Sequence, residues 1–307
     1  MSDSGVIGPG ATVGFVGLGR MGTPMSGHLA AAGYRVRGYD VSERARESWS
    51  AQVPGGAAVR DAAAAAEGAD AVILMLPDSP VVKDVLLGDG LLAAAGGQAA
   101  SRDNGPPPVV VDMSSSEPQV TRDLAAAAAE HGVAFVDAPV SGGVPGARQG
   151  SLTIMVGGDA ASVERVRELL AVMGSRVLHV GAAGAGHAVK ALNNLLSATH
   201  LLVTSEAMAA AAEFGLDVPA VLDAINTSSG RSGSTENKWP NYVVPRTFNS
   251  GFPLRLLVKD MRIALGLAET AGTPARLSAA ATQLWAEAAA ALPEDADHTE
   301  IARWLET

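Results

Sequence analysis

TVGFVGLGRMG, residues 12–22, joins a short strand-like run to three glycines spaced Gly-x-Gly-x-x-Gly. The residues from Thr23 onward can open a helix, so the glycines occupy a strand–turn–helix context. In that context Gly17 permits a tight turn, Gly19 lets a ligand approach the backbone, and Gly22 allows the helix to pack closely on the strand. The N-terminus of such a helix favours negative phosphate groups. The stretch therefore predicts a dinucleotide site formed by Gly17, Leu18, Gly19, Arg20, Met21 and Gly22.

Strand-like and helical segments alternate around this stretch. Short β-branched runs fall at residues 12–16, 35–39, 71–76, 109–112, 134–137, 153–156 and 176–180, and helical stretches fall at 23–32, 43–48 and 160–173. That alternation is typical of βαβ units around a parallel sheet. Beyond Gly181 the pattern is helical only, over residues 185–213, 218–225, 255–271 and 273–291. The sequence predicts an α/β Rossmann N-terminal domain over residues 1–181 and an all-α C-terminal domain over residues 182–307, joined by the long helix that begins at Ala185.

Two stretches interrupt this pattern. Residues 96–108 contain Gly, Ser, Asn and three consecutive prolines, which predicts a surface loop between a helix and the next strand. Residues 227–253 mix Ser, Gly, Asn, Pro and aromatic residues over a span longer than loops that merely connect two elements of a compact domain. We expect the second stretch to have a binding role.

The composition excludes several classes of protein. Apolar residues make up 48% of the 307 residues and charged residues 18%, the mixture of a folded chain rather than a disordered one. A net charge of −10, with no dense Lys/Arg stripe, would repel a nucleic-acid backbone. The sequence contains no cysteine, which excludes disulfides and cysteine nucleophiles, and we expect no metal site. The first residues lack a signal-peptide pattern and no run of about 18 apolar residues predicts a membrane span, so the sequence favours the cytoplasm.

An acidic residue ends the second predicted strand. Asp40 lies about 20 residues past the glycines, the spacing at which a carboxylate accepts hydrogen bonds from the adenosine ribose hydroxyls. Its charge would repel the 2′-phosphate of NADP, so NAD is predicted and NADP is less favoured, although Arg44 lies close by. The segments Met75-Leu76-Pro77 and Asp112-Met-Ser-Ser115 follow two further strands, at the carboxyl ends where open α/β sheets bind ligands. We expect both segments to face the nicotinamide half.

The start of the long predicted helix carries a lysine, in Gly184-Ala-Gly-His-Ala-Val-Lys-Ala-Leu-Asn-Asn194. Lys190 and Asn194 are four residues apart, so both project from one face of the helix. The helix macrodipole disfavours an ammonium near the N-terminus, and burial in a cleft would lower the pKa of the lysine further. Lys190 is thus a candidate general base for a hydroxyl proton, with an ordinary surface lysine as the alternative.

A second polar cluster follows a predicted strand, in Asp137-Ala-Pro-Val-Ser-Gly-Gly143. Ser141, Gly142 and Gly143 can direct a hydroxyl group and backbone N–H groups at an anion such as a carboxylate. An ordinary turn is the alternative, and compositions of this kind usually form one.

Five motifs occur in the order and spacing of one known family. They are Gly17-Leu-Gly-Arg-Met-Gly-Thr-Pro-Met25, Asp112-Met-Ser-Ser-Ser-Glu-Pro118, Asp137-Ala-Pro-Val-Ser-Gly-Gly143, Gly184-Ala-Gly-His-Ala-Val-Lys-Ala-Leu-Asn-Asn194 and Lys259-Asp260. Together they resemble the β-hydroxyacid dehydrogenases, including the 3-hydroxyisobutyrate dehydrogenases, over residues 12–271. The resemblance implies an enzyme that forms a homodimer or homotetramer through its helical domain.

Carried over residue by residue, the resemblance implies a role for each matching position. Lys190 is implied to be catalytic. The substrate carboxylate and hydroxyl region is implied to be held by Ser141, Gly142, Gly143 and Asn194, and the cofactor to be contacted by Leu76, Pro77, Ser115 and Lys259. Ser228-Ser-Gly-Arg231-Ser resembles a substrate-covering loop, in which Arg231 would meet an anionic group. The stretches Thr235-Glu-Asn-Lys-Trp-Pro and Pro245-Arg-Thr-Phe depart from the family pattern, which leaves the identity of the 3-hydroxy acid open.

These inferences combine into one predicted activity. It is the reversible, NAD-dependent oxidation of a small 3-hydroxy acid to its semialdehyde or keto product, with Lys190 as general acid/base and Asn194 orienting it. Imine reductases resemble this scaffold but usually carry another residue at the lysine position. A 6-phosphogluconate dehydrogenase has a considerably longer helical region. A catalytically inactive oligomerisation scaffold is the third alternative.

Overall fold

A computed structural model describes residues 5–99 and 106–306 of the chain. The chain forms two compact units, of which the first ends at Lys190 and the second begins at Ala191. The first unit is an α/β unit with a largely parallel sheet and the second is helical, which confirms the predicted fold class. The division predicted at residue 181 stays a prediction, because one long helix belongs to both units.

A nine-stranded sheet lies at the centre of the described part of the first unit. Its strands are β1 (Thr12–Val16), β2 (Arg35–Tyr39), β3 (Ala57–Ala58), β4 (Ala71–Leu74), β5 (Val109–Asp112), β6 (Ala134–Asp137), β7 (Val140–Ser141), β8 (Leu152–Gly157) and β9 (Gly174–Gly181). They follow the order β3-β2-β1-β4-β5-β6-β8-β7, with β9 parallel to β8. The strands from β3 to β6 in that order pair in parallel, so their carboxyl ends meet at one edge of the sheet.

Helices cover both faces of this sheet. They are α1 (Gly22–Ala31), α2 (Glu43–Gln52), α3 (Ala62–Ala66), α4 (Ser79–Lys83), α5 (Leu91–Ala99), α6 (Pro118–Glu130), α7 (Gly143–Gln149) and α8 (Ala160–Ala171). Successive residues of β4 enter opposite apolar clusters, with Ile73 in one and Val72 and Leu74 in the other. Side chains alternate between the faces of a strand, so β4, which is covered on both faces, is apolar along its whole length.

Long helices form the second unit. They are α9 (Ala185–Glu213), which starts in the first unit, α10 (Val218–Asn226), α11 (Leu254–Thr270), α12 (Arg276–Ala291) and the short α13 (Ile301–Trp304). Trp285 and Met261 are fully buried in the apolar core of this unit, and the Trp285 indole donates a 3.2 Å hydrogen bond to the carbonyl oxygen of Ala198. This bond satisfies the polar atom that burial would otherwise leave unpaired.

Helix α9 is also long and apolar enough to cross a membrane when only length and composition are considered. Its most apolar window has a mean hydropathy of 1.2 and is 39% buried. The mean hydropathy of an 18-residue window can be high even when it contains isolated polar residues, so α9 meets this criterion without containing an uninterrupted apolar run of that length. Long core helices of water-soluble proteins meet the same criterion.

The predicted loop at residues 96–108 is wrong over its first part. Helix α5 continues to Ala99, and residues 100–105 lie outside the described residues. A Cβ on Gly96 would lie 2.2 Å from the carbonyl oxygen of His131. Glycine at this position therefore serves close packing of the helix rather than a turn.

Two further stretches differ from their predicted irregular form. The glycine-rich turn after Asp137 forms strand β7 and then helix α7, which begins at Gly143 with a proline in its first turn, where proline is tolerated. The stretch at residues 227–253 contains a ten-residue π-helical segment, Ser234–Val243. Proline at position 240 removes an N–H donor within this segment.

Candidate functional site

Neighbouring backbone shapes the glycine turn after β1. Gly17 has a φ of 98°, and a Cβ there would lie 2.3 Å from the carbonyl oxygen of Met75. A Cβ on Gly22 would lie 1.8 Å from the carbonyl oxygen of Gly17. At Gly19, by contrast, no atom of the described residues lies within 4 Å of an added Cβ. The fold itself requires glycine at positions 17 and 22, whereas Gly19 keeps space free for a ligand to approach the backbone.

Helix α1 and Arg20 border the same turn. The helix begins after Met21 with no side-chain cap and no acidic residue in its first turn, so no side chain there neutralises its positive end. Arg20 is exposed and lines a cavity of about 410 Å³ together with Leu18 and Gly19. The open turn and the uncapped helix end fit the diphosphate of a dinucleotide such as NAD.

The carboxylate of Asp40 is already fixed by backbone donors. Leu18 N–H donates to Oδ2 and Ser42 N–H donates to Oδ1, both at 2.9 Å. An ionised carboxylate accepts about four hydrogen bonds, so each oxygen retains capacity for a ribose hydroxyl. Asp40 thus links the glycine turn to the end of β2 and presents a fixed negative charge beside it.

The segments after β4 and β5 are tied to each other. Leu76 N–H donates to the Ser114 hydroxyl oxygen at 3.0 Å, and Ser114 N–H donates to Asp112 Oδ1 at 3.0 Å. Asp112 is fully buried, whereas Ser115 is half-buried and Pro77 is exposed. The structure therefore places three of the predicted cofactor positions along one edge of the sheet.

A buried carboxylate joins strand β6 to helix α9. Asp137 pairs with Asp112 in the strand register, and its side chain accepts hydrogen bonds from Gly184 N–H at 2.8 Å and His187 N–H at 3.0 Å. A Cβ on Gly186 would lie 2.4 Å from the carbonyl oxygen of Met155. The aspartate caps the helix, and the glycine allows the helix to lie directly against the sheet.

The predicted substrate anchor follows Asp137 along the chain. Ser141 ends strand β7 and is half-buried, while Gly142 and Gly143 have φ values of 130° and 59°. Any residue other than glycine would have a strained backbone conformation at both positions. The structure keeps these three residues together immediately downstream of the carboxylate that caps α9.

Lys190 lies in the second turn of α9 and is half-buried. From the sequence, its ammonium was expected to be opposed by the positive end of the helix. The buried carboxylate of Asp137 offsets that positive end, because its two oxygens accept the first N–H groups of the helix. The helix dipole therefore opposes the charge of Lys190 less than it would in a helix without this carboxylate.

In the second unit, the candidate Asn194 is held by two side chains. Its Nδ2 donates to Asp260 Oδ2 at 2.6 Å, and its Oδ1 accepts from Asn193 Nδ2 at 3.1 Å. The ammonium of Lys259 lies 3.3 Å from Asp260 Oδ1, close enough for an ion pair but without hydrogen-bond geometry. Asn194 and Asp260 are both buried, so the amide is fixed in one orientation.

Arg231 has a different partner from Asn194, Asp260 and Lys259. It is exposed and lies 3.7 Å from the carboxylate of Glu236. Of the other two cations in the stretch at residues 227–253, Arg246 bonds Glu306 with both terminal nitrogens. Burial lowers the pKa of Lys238.

Three polar residues belong to this arrangement but were not assigned a role from the sequence. Asp137, His187 and Asp260 are each at most 2% exposed and each bonds a candidate residue or its helix. All three stand inside the motifs that carry the family resemblance, which was the available signal. In the described residues, no group of three His, Asp or Glu side chains is arranged to hold a metal ion.

Comparisons with known proteins cover both units. A family profile described as the NAD binding domain of 6-phosphogluconate dehydrogenase matches residues 12–181, and one described as NAD-binding of NADP-dependent 3-hydroxyisobutyrate dehydrogenase matches residues 184–305. The chain is 38% identical to an NAD-dependent L-serine dehydrogenase of Pseudomonas aeruginosa over 89% of this chain and 90% of that protein. It is 37% identical to the 3-hydroxyisobutyrate dehydrogenase of the same organism over 93% and 94%.

A solved structure gives the same answer for the fold. The 3-hydroxyisobutyrate dehydrogenase of Mycobacterium tuberculosis, solved with L-serine, superposes with a TM-score of 0.88 at 34% identity, covering 97% of this chain and all of that one. Five motifs in order, two matching profiles and relatives of similar length agree. The chain belongs to the β-hydroxyacid dehydrogenase family, among the relatives of the 3-hydroxyisobutyrate dehydrogenases.

Proposed function

We propose that the protein catalyses the reversible oxidation of a small 3-hydroxy acid by NAD, with Lys190 as general acid/base. Membership of the family supports an NAD(P)-dependent oxidoreductase acting on a hydroxy acid. NAD rather than NADP is favoured by Asp40, whose carboxylate would repel a 2′-phosphate at the end of β2.

One observation carries the proposal. The strand that leads into Ser141, Gly142 and Gly143 also supplies Asp137, which caps the helix that carries Lys190. The segment proposed to bind the carboxylate and the helix of the lysine proposed to transfer the proton are therefore attached to the end of the same strand. Oxidation of a 3-hydroxy acid needs these two functions, because the acid group must be anchored while the hydroxyl loses its proton.

Each residue has a distinct role in this proposal. The Ser141 hydroxyl and the backbone N–H groups of Gly142 and Gly143 hold the carboxylate. Lys190 accepts the proton of the C3 hydroxyl, and returns it in the reverse direction. Asn194 orients that hydroxyl with the amide hydrogen it does not donate to Asp260. The glycine turn, Leu76, Pro77, Ser115 and Lys259 would hold NAD, which would supply the hydride acceptor.

The names of two relatives support this substrate class. L-Serine and 3-hydroxyisobutyrate share a carboxylate at C1 and a hydroxyl at C3, and they differ at C2, which bears an amino group in one and a methyl group in the other. The roles proposed here contact only the shared groups. No contact is proposed for the C2 substituent, and Arg231, in the stretch at residues 227–253, is proposed to meet an additional anionic group.

We further propose that the protein is a homodimer or homotetramer. Four apolar side chains are exposed along α9, at spacings of three, four and seven residues; they are Val189, Leu192, Leu196 and Val203. That spacing places them on one face of the helix. An exposed apolar stripe of this kind is typical of a self-association surface, and light scattering on the purified protein measures the mass of the assembly. A cytoplasmic location stays a prediction.

The experiment that tests the activity follows NADH formation at its near-ultraviolet absorbance. The substrates are both enantiomers of 3-hydroxyisobutyrate and of serine, with glycerate, and the 2-hydroxy acid lactate as control; each is offered with NAD and with NADP. Turnover confined to 3-hydroxy acids and faster with NAD supports the proposal. Oxidation of lactate alone contradicts the proposal. No oxidation of any of these substrates, while NADH still binds, also contradicts it and favours the imine-reductase or scaffold alternatives.

A further inference from the structure

One buried hydrogen-bond network connects the cofactor segments with the helix that carries Lys190. Its side chains all lie in the first unit and none is more than 2% exposed; they are Asp112, Ser114, Ser116, Thr121, Asp137 and His187. The proposed activity assigns no chemical step to any of them. So many polar groups in a protein interior carry a cost in desolvation unless each is paired, and here each is paired.

His187 stands at the centre of this network. Its backbone N–H donates to Asp137 Oδ2 at 3.0 Å, its ring Nε2 lies 3.1 Å from the carbonyl oxygen of Ser114, and its ring Nδ1 lies 2.8 Å from the Thr121 hydroxyl oxygen. One residue therefore bonds the end of β6, the segment after β5 and helix α6.

The partners of the ring determine where its hydrogen lies. The carbonyl of Ser114 can only accept, so in the neutral ring Nε2 carries the hydrogen and donates it. Nδ1 of that ring accepts from the hydroxyl of Thr121, whose one hydrogen is then not donated to the carbonyl oxygen of Glu117, 3.0 Å away. The carboxylates of Asp112 and Asp137 lie 3.8 and 3.9 Å from the ring nitrogens and accept shorter hydrogen bonds from other groups.

We propose that His187 is a positioning residue for the reaction, which holds the first turns of α9, and with them Lys190, at a fixed distance from the Ser114–Ser115 backbone. The inference rests on the function proposed above. Ser114 also accepts the N–H of Leu76, so both cofactor segments share this attachment. Lys190 follows His187 by three residues, within one turn of the same helix.

The expected consequence is a defect in kcat rather than in binding. Proton and hydride transfer depend steeply on alignment, and a misplacement of about 1 Å costs on the order of 100-fold in rate. The groups that hold the carboxylate and the cofactor do not include the imidazole. Loss of the Nε2 hydrogen bond therefore lowers kcat while the KM of the substrate and the Kd of NADH stay nearly constant.

Three variants separate the contributions of the two ring nitrogens. His187→Gln places an amide N–H near the position of Nε2, His187→Asn places one near Nδ1, and His187→Ala removes both. His179→Gln is the matched control, since that exposed histidine also bonds a backbone carbonyl, that of Gly181, at 2.9 Å in the same unit. For each variant we would measure kcat, KM, the Kd of NADH, thermal unfolding, and the kinetic isotope effect with substrate deuterated at C3.

The proposal expects His187→Gln to retain kcat within about threefold, and His187→Asn and His187→Ala to lose about 10- to 100-fold, with KM and Kd changed by less than about threefold. The isotope effect rises in the slow variants, because hydride transfer becomes slower than product release. Equal kcat per folded molecule in the Gln and Asn variants, with only the unfolding temperature lowered, overturns the proposal. If His187→Ala does not fold, the Gln and Asn variants decide alone. Absence of turnover by the unmodified protein overturns the proposed function and this inference together, whereas normal turnover by every variant overturns only the inference.

Discussion

The side-chain amide of Asn194 donates a 2.6 Å hydrogen bond to the carboxylate of Asp260, and both side chains are buried. The bond crosses from α9 to α11 and leaves one amide hydrogen of Asn194 for the role proposed for it, which is to orient the substrate hydroxyl. We predict that Asp260→Ala lowers kcat by about 10- to 100-fold because the amide loses its fixed orientation. Asp260→Asn keeps an acceptor and retains most of the activity. Steady-state kinetics measures both, with the exposed Asp223→Asn as control; wild-type kcat in Asp260→Ala would contradict the assignment.

Replacement of the proposed general base should separate chemistry from binding. Lys190→Ala is expected to lower kcat by about 10²- to 10⁴-fold, the usual contribution of a positioned proton-transfer group. NADH affinity, measured by fluorescence titration, should stay unchanged, because the lysine is assigned to the hydroxyl and not to the cofactor. Lys83→Ala, an exposed lysine at the end of α4, is the control. Unchanged turnover in Lys190→Ala would remove the lysine from the mechanism.

The charge at the end of β2 should set the choice of cofactor. Asp40→Asn is expected to weaken NADH binding by about 10- to 100-fold, the range for a hydrogen bond to a charged group. NADPH binding should be unchanged or stronger, since the carboxylate no longer repels its 2′-phosphate. Fluorescence titrations with both cofactors measure the ratio, with the exposed Glu47→Gln on α2 as control. A constant ratio would show that Asp40 does not select the cofactor.

The contact between α9 and β8 should tolerate no side chain at Gly186. A Cβ there would meet the carbonyl oxygen of Met155 at 2.4 Å and the side chain of Asp137 at 2.8 Å. We expect Gly186→Ala to destabilise the protein by about 1–3 kcal/mol through overpacking. Gly27→Ala in helix α1 is the matched control, because its Cβ would meet only Val53 at 3.7 Å and should be neutral or stabilising by up to about 1 kcal/mol. Equal unfolding temperatures for the two variants would be incompatible with this packing.

Acid should weaken the second unit over a definite pH window. Burial, and then the ammonium of Lys238, lower the pKa of His298 from 6.5 to about 4. Below pH 6.5 His298 binds a proton in the unfolded chain, whereas in the folded chain it binds one only when the pH falls to about 4. The stability associated with this histidine is therefore fully present above pH 6.5 and is lost as the pH falls to about 4, a loss on the order of 3 kcal/mol.

Urea unfolding followed by tryptophan fluorescence at several pH values measures this loss. His298→Asn should flatten the dependence between pH 6.5 and 4, whereas the exposed His200→Gln should leave it unchanged. The pKa of Asp297 is also lowered: burial opposes this, but hydrogen bonds from Thr299 and Ser250 outweigh it. Its own contribution disappears only below its ordinary pKa of 3.8. Equal stability of the unmodified protein at pH 7 and pH 4.5 would rule out the buried neutral histidine.

Local patterns sufficed to predict the glycine turn and seven of the nine strands in the described sheet, all but the two-residue β3 and β7. Strand β1 is a continuous apolar run, and the glycines at positions 17, 19 and 22 have a spacing that the strand–turn–helix geometry demands. The long helix α9 was predicted with its observed bounds because no proline, and no glycine after Gly186 in its first turn, interrupts it. These features depend on residues close together in the chain.

Features that depend on distant residues could not be predicted in the same way. Asp137 caps a helix whose first residues lie nearly 50 positions later, and no local pattern shows that its oxygens meet those N–H groups. The need for glycine at position 96 comes from close contact with the backbone of His131, and the π-helical segment Ser234–Val243 has no period that composition would show. The substrate-covering role predicted for Arg231 stays a prediction.

The open space beside Gly19 sets stability and catalysis against each other at a single position. A glycine there leaves the unfolded chain more conformational freedom than an alanine would, at a cost of roughly 0.5–1 kcal/mol, and no contact within the described chain requires it. Directed evolution for heat resistance alone would thus favour Gly19→Ala. The more stable protein would then carry a methyl group at the position where we propose that the cofactor approaches the backbone.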